Sequence, residues 1–298
     1  MKKIISFIVI GVLLGGLGAY AVVRYIAGQR VENEIAAFVE KTPAVERIKY
    51  DAVRVGLIRP AVQLKNIQIK LAEYQESIRI DQIDLAVKEQ GDPIPSRARA
   101  EIRGVHLSTR HRIFQDFGAA LKSMGYDDVT GLLTLDYHYE PAKKQLNLND
   151  VTLEVDGMGR LQVELALTNL DLSRLVTQEG QTDIASLLFA LPTMGIARGR
   201  FAYQDDTFAQ RLFRLNAPRS GLNTASDRLP LFSKLEQLLA EEKNERTRQF
   251  ISIIQKFINH PKSITGTMTP AKSVPLLRFL WVKKWVDLIE LLNADISI

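Results

Sequence analysis

Residues 62–71 read VQLKNIQIKL. Val62 and Leu64 alternate with polar residues as a half-buried strand does, and Ile67, Ile69 and Leu71 alternate too, but on the opposite parity. The change falls at Lys65-Asn66. A strand of strict period two would there turn half of its apolar side chains to water, unless an extra residue bulges out and restores the face. The same device recurs. In IRIDQIDLAV, Ile78 and Ile80 precede Asp81-Gln82, and Ile83, Leu85 and Val87 follow. In AEIRGVHL the pair is Arg103-Gly104, in LNLNDVTLEV it is Asn149-Asp150 between Leu148 and Val151, and in LALTNLDL it is Thr168-Asn169. A two-residue hairpin turn would also reverse parity, but such turns favour Asn-Gly or Asp-Gly, and KN, DQ and TN are poor versions of them. The repeat therefore reads as a bulge that keeps one apolar face continuous and sharpens the local twist.

Working outward, DGMGR at 156–160 and EPAKKQ at 140–145 are better turns, so residues 131–172 form an antiparallel meander. Residues 48–107 read the same way, with IKYDAVRVGLI as the first strand and Arg59-Pro60 as the first turn. A helix over 111–125 separates the two groups. Beyond 172 helical spacing dominates: 171–191, a helix capped by Asp205 or Asp206, a long stretch over 228–259 cut by EEKNERTR, and SVPLLRFLWVKKWVDLIELLN at the end, with short strands at IARGRFAY and SITGTM. The expected fold is α+β: an N-terminal transmembrane helix, then a curved, bulged, mainly antiparallel β-sheet with a helical C-terminal half packed on it. The divisions are 1–27 as anchor, 28–172 as linker helix and sheet, and 173–298 as the mostly helical part of the same globular unit.

The anchor rests on residues 4–23, where no residue is charged. At about 1.5 Å per residue such a helix spans a hydrocarbon core of about 30 Å. Lys2 and Lys3 would keep the N-terminus cytoplasmic, placing the protein in the inner membrane with a periplasmic body. The alternative is a signal sequence cleaved near Ala21, since Ala19-Tyr20-Ala21 fits a small-x-small site, although the apolar run exceeds the usual signal core.

The remaining composition narrows the function. The chain has 298 residues, 46% hydrophobic and 24% charged, enough for a sizeable core. Its 39 Lys and Arg against 34 Asp and Glu give +5, but the basic residues are interspersed with acidic ones, which speaks against nucleic acid. The absence of Cys removes disulfides, thiolate nucleophiles and every Cys-containing metal pattern. There is no nucleophile elbow, phosphate-binding loop, dinucleotide fingerprint or HExxH. His106 and His111 straddle a strand-to-helix junction, His138 alternates with Tyr137 and Tyr139 on a solvent side, and the carboxylates of YQDDTF suit helix capping. No catalytic residue, metal site or cofactor is expected, and the protein reads as a non-enzyme.

The stretch IKYDAVRVGLIRPAVQLKNIQIKL, placed after the N-terminal apolar run, resembles the opening of AsmA-like proteins, relatives of the bridge-like lipid-transfer proteins. GQRVENEIAAFVEK also resembles the YdgA-like family of anchored bacterial envelope proteins. The resemblance covers residues 1 to about 172 and includes no catalytic motif. It implies a curved sheet whose apolar concave surface shelters acyl chains, with Val62, Leu64, Ile67, Ile69, Ile78, Ile80, Ile83, Leu85, Leu146, Leu148, Val151 and Leu153 as candidates for that surface. About ten strands stacked 4.8 Å apart reach only ~50 Å, too short to bridge two membranes, so the implied lipid role is local or assisted.

Two partner expectations follow. Membrane lipid would meet the sheet, and the last helix offers a candidate interfacial face at Trp281 and Trp285 with Lys283 and Lys284 off it, although packing on the sheet is the commoner fate of such a stripe. The alternative is a structural or scaffold role, in which the C-terminal helices bind another envelope protein and the apolar face is a dry core. Function is thus expected in lipid handling or envelope biogenesis.

Overall fold

The computed structural model describes residues 45–55, 61–72, 77–89, 95–111, 114–171, 193–215, 244–282 and 285–298, together with Ile35, Val39, Glu40, Gln237, Leu239, Ala240 and Glu242. Alternating β-branched and polar residues dominate the first of these stretches, and they build strands that favour a half-buried pleated surface. The strands are β1 (Val45–Lys49), β2 (Ala52–Val55), β3 (Ala61–Leu71), β4 (Ser77–Glu89), β5 (Arg97–Ser108), β6 (Asp128–Glu140), β7 (Gln145–Val155), β8 (Gly159–Thr168), β9 (Gly195–Asp205), β10 (Ser263–Met268), β11 (Val274–Pro275) and β12 (Ala294–Ser297). They form one antiparallel sheet in the order β1-β3-β4-β5-β6-β7-β8-β9-β10-β12, with β2 beside β1 on β3, and β11 beside β10 on β9. The α-helices with described bounds are α1 (Gln115–Ser123), α2 (Phe208–Leu215), α3 (Glu245–Asn259), α4 (Leu276–Trp281) and α5 (Trp285–Leu291).

Four of the five polar pairs lie inside continuous strands, so they are interruptions of the ladder and not turns. Asn66, Asp81 and Gly104 stand side by side across β3, β4 and β5, because Lys65 pairs with Gln82 and Ile67 with Ile80, while Gln82 pairs with Arg103 and Ile80 with Val105. Asn66 and Gly104 take left-handed backbone, φ +52° and +62°. These three strands reverse parity together, and a one-residue slip of β5 against β6 at Gly104 absorbs the change. The crease reaches the sheet edge, where Asn66 Nδ2 donates to Asp51 Oδ2 at 2.8 Å in the gap between β1 and β2. A second slip lies at Asn149-Asp150, where two residues of β7 face one of β8. The fifth pair differs: Asn169, φ +59°, ends β8, and Leu170 is buried beyond it with its N–H on the Lys144 carbonyl.

Two expectations are corrected. The C-terminal half is not a helical layer on a finished sheet, because β9, β10, β11 and β12 continue the same sheet and the described helices α2 to α5 alternate with those strands. The final helix is two, α4 and α5, separated where Val282 turns extended at ψ 116°. The other correction concerns the membrane. Among the described residues no helix is long and apolar enough to cross a membrane, which runs against the N-terminal transmembrane helix and the inner-membrane localisation with a periplasmic body. The expected span itself, residues 4–23, and the Ala21 cleavage position lie outside the described residues.

Candidate functional site

Because the interruptions restore parity, directly paired residues make unbroken apolar rows across the sheet. One row runs Val62, Leu85, Ala100, Leu135, Val151, Val163, Phe201, Gly266 and Ile296. Beside it run Leu64, Ile83, Ile102, Leu133, Leu153, Leu161, Tyr203 and Ile264. Between them, on the other face, lies a polar row from Gln63, Asp84 and Glu101 through Thr134, Thr152 and Gln162. All twelve candidate residues therefore share one face.

That face is covered unevenly. Over β3–β5 it is closed: Val62, Ile67, Ile69, Ile78, Ile80 and Leu85 are nearly inaccessible, with Ile67 and Ile80 3% exposed, and Val39 packs against this group. At one end of the middle strands, α1 places Leu121 and Met124 with Phe114, Tyr126 and Met158 over Val129 and Val155. Arg211 of α2 clamps this end, its guanidinium 4.6 Å from the Tyr126 ring centre while donating to the Met124 carbonyl at 2.8 Å. At the opposite end Leu276 and Phe279 of α4 pack with Leu167, Leu170, Met194 and Ile196, against Leu146 and Leu165. On the β9 side Phe257 of α3 meets Tyr203 edge-on at 6.0 Å. Burial and the Asp205 carboxylate, which accepts from the Tyr203 hydroxyl at 2.6 Å, push that phenol well above its usual range. Asp205 also accepts from the Ala209 N–H at 2.6 Å, the capping role expected of it.

Between these covers no described element packs over the floor. Leu133, Leu135, Leu148, Val151, Leu161 and Val163 are half-buried, and Leu153, between Leu133 and Leu161 in the row nearer α1, is 41% exposed. From Leu148 to Leu153 the floor spans four residues of the facing strands, about 13 Å along them because one residue at Asn149-Asp150 is extra, and crosses about 10 Å from β6 to β8. Every one of these side chains is apolar, so the floor offers dispersion contacts and no hydrogen bond, proton or charge.

The candidates thus separate. Val62, Leu64, Ile67, Ile69, Ile78, Ile80, Ile83 and Leu85 join the closed region, Leu146 joins the α4 end, and Leu148, Val151 and Leu153 belong to the open floor. Leu133 and Leu135, which border the closed clusters, and Leu161 and Val163 were missed. Their alternation marks strands, but only the pairing register brings them to the same patch. Trp281 ends α4 and Trp285 opens α5, so they do not lie on one continuous helix; Lys283 and Lys284 lie outside the described residues.

The opposite face is polar. Asp136 and Asp150 stand directly across from each other, a juxtaposition that spacing did not reveal. Lys88 pairs with Asp136, and the Thr152 hydroxyl donates to Asp150 at 2.6 Å. His106 sits between Asp81 at 3.0 Å and Thr130 at 3.2 Å, away from the buried His111. Among the described residues no group of three or more metal-ligating side chains gathers.

A family model described as "Uncharacterized protein" matches residues 152–297, from the middle of β7 through β12. No curated protein matches the chain.

Proposed function

We propose that this protein binds the acyl chain of a membrane lipid on the open floor of β6–β8 and acts without enzymatic chemistry in lipid handling. The carrying observation is Leu153, 41% exposed on an apolar surface whose borders on β3–β5, at α1, at α4 and at α3 are covered. A large apolar side chain left open in such a setting is a place where another apolar body gains by burial, about 25 cal/mol for each Å² removed from water. A floor without polar groups selects a hydrocarbon over a polar metabolite, because it cannot satisfy a hydrogen-bonding ligand. The closed half over β3–β5 serves as the protein's own core.

Two substitutions test the reading. In Leu153→Asp the carboxylate stays hydrated, so the chain should remain folded but lose the lipid expected to co-purify with the wild type. Ile80→Asp buries a charge and unfolds the sheet. Circular dichroism with lipid extraction of both full-length variants separates the effects. Lipid retained at wild-type level in folded Leu153→Asp removes the floor from consideration and favours the alternative, a scaffold that binds a protein partner.

A further inference from the structure

The corner of the fold at α4 has an outer face that the proposed ligand floor does not use. Leu276 and Phe279 point into the apolar cluster over β8 and β9, which leaves the next positions facing out: Leu277 is 41% exposed, and Arg278 and Lys272 are exposed beside it. The corner is held firmly. Val274 pairs with Ile196, the Leu276 N–H donates to the Met194 carbonyl at 2.7 Å, and the Ser273 and Thr168 hydroxyls meet at 2.5 Å. Leu277 is therefore presented by a fixed scaffold. The sequence around it carries one sign of charge: from Pro261 to Val286 there is no Asp or Glu, while Lys262, Lys272, Arg278, Lys283 and Lys284 fall within it, and the nearby Asp171 is paired with Lys144. Among the described residues neither Lys272 nor Arg278 forms an ion pair.

We propose that this corner docks the protein on an anionic lipid surface, with Leu277 entering the interface and Lys272 and Arg278 facing the headgroups. An exposed leucine flanked by cations gains from both terms at such a surface: apolar burial below the headgroups, and about 1 kcal/mol for each basic residue near it. The inference goes beyond lipid binding on the floor and stands on different residues, so either can fail alone.

The chain has no cysteine, so Leu277→Cys supplies a unique thiol for a polarity-sensitive fluorophore in the full-length protein. Its emission should shift to the blue on adding vesicles of equal parts phosphatidylcholine and phosphatidylglycerol, stay unchanged with phosphatidylcholine alone, and revert with added salt. Adding Lys272→Glu and Arg278→Glu should weaken the response by more than about tenfold. No shift, or an equal shift with neutral vesicles, overturns the proposal, as does a response to polyglutamate without one to vesicles. A second label at Leu153→Cys reads the floor. A shift at 153 without one at 277 refutes docking by the corner and leaves the floor reading standing.

Discussion

At the crease, Gly104 shows how one residue sets the shape of several strands. It combines φ +62° with an approach so close that a Cβ would lie 2.0 Å from Asp81 Oδ2. Gly104→Ala should therefore destabilise the protein by about 1 to 3 kcal/mol, read from the urea midpoint. Adding Asp81→Ala should return only part of the loss, because the Asp81 Cβ position still lies 2.9 Å away and the left-handed backbone still disfavours a side chain. Full recovery in the double variant would mean that conformation costs nothing there. Tyr137 gives a second residue-scale test. Burial pushes its phenol up to about 12, above the ordinary value of about 10, so the folded state holds the proton more tightly than the unfolded chain. Its contribution is complete below about pH 10 and is lost as pH rises through about 12. The stability gap between wild type and Tyr137→Phe should thus be flat up to about pH 10 and then move in favour of the variant; a gap unchanged to pH 12 would contradict the assignment.

Among the elements, β7 depends most on its extra residue. Deleting Asn149 removes the slip between Leu148 and Val151, so either Leu146 and Leu148 turn toward the polar face or the pairing with β6 and β8 breaks. The deletion should abolish the cooperative thermal transition, whereas Asn149→Ala, which keeps the residue count, should cost less than about 1 kcal/mol. Equal tolerance of both changes would mean the slip does not hold the register. The parity resets were legible because each leaves a polar pair inside an alternating run, a local signal. That Asn66, Asp81 and Gly104 stand in line was not, since their alignment is set by pairing between strands far apart in sequence. The C-terminal half was misread for a related reason. Its helical stripes are long and periodic, while β12 is four residues, too short for alternation to show, and the extended turn at Val282 is hidden within an apolar run.

Across the whole molecule, one apolar face is used in two ways: closed into a core over β3–β5 and open over β6–β8, with α1, α3 and α4 at its borders. The sequence marked the strands of this face, but the division between closed and open depends on where the later helices lie, which periodicity alone does not tell. The open part is where the account places its ligand. The most direct measurement is photolysis of a diazirine-bearing fatty acid mixed with the full-length protein, with the labelled residues mapped by mass spectrometry. The account predicts adducts on the floor, at Leu133, Leu153 and Leu161 and their neighbours, and their loss in Leu153→Asp. Adducts absent from the floor, or confined to the apolar run over residues 4–23, would contradict it.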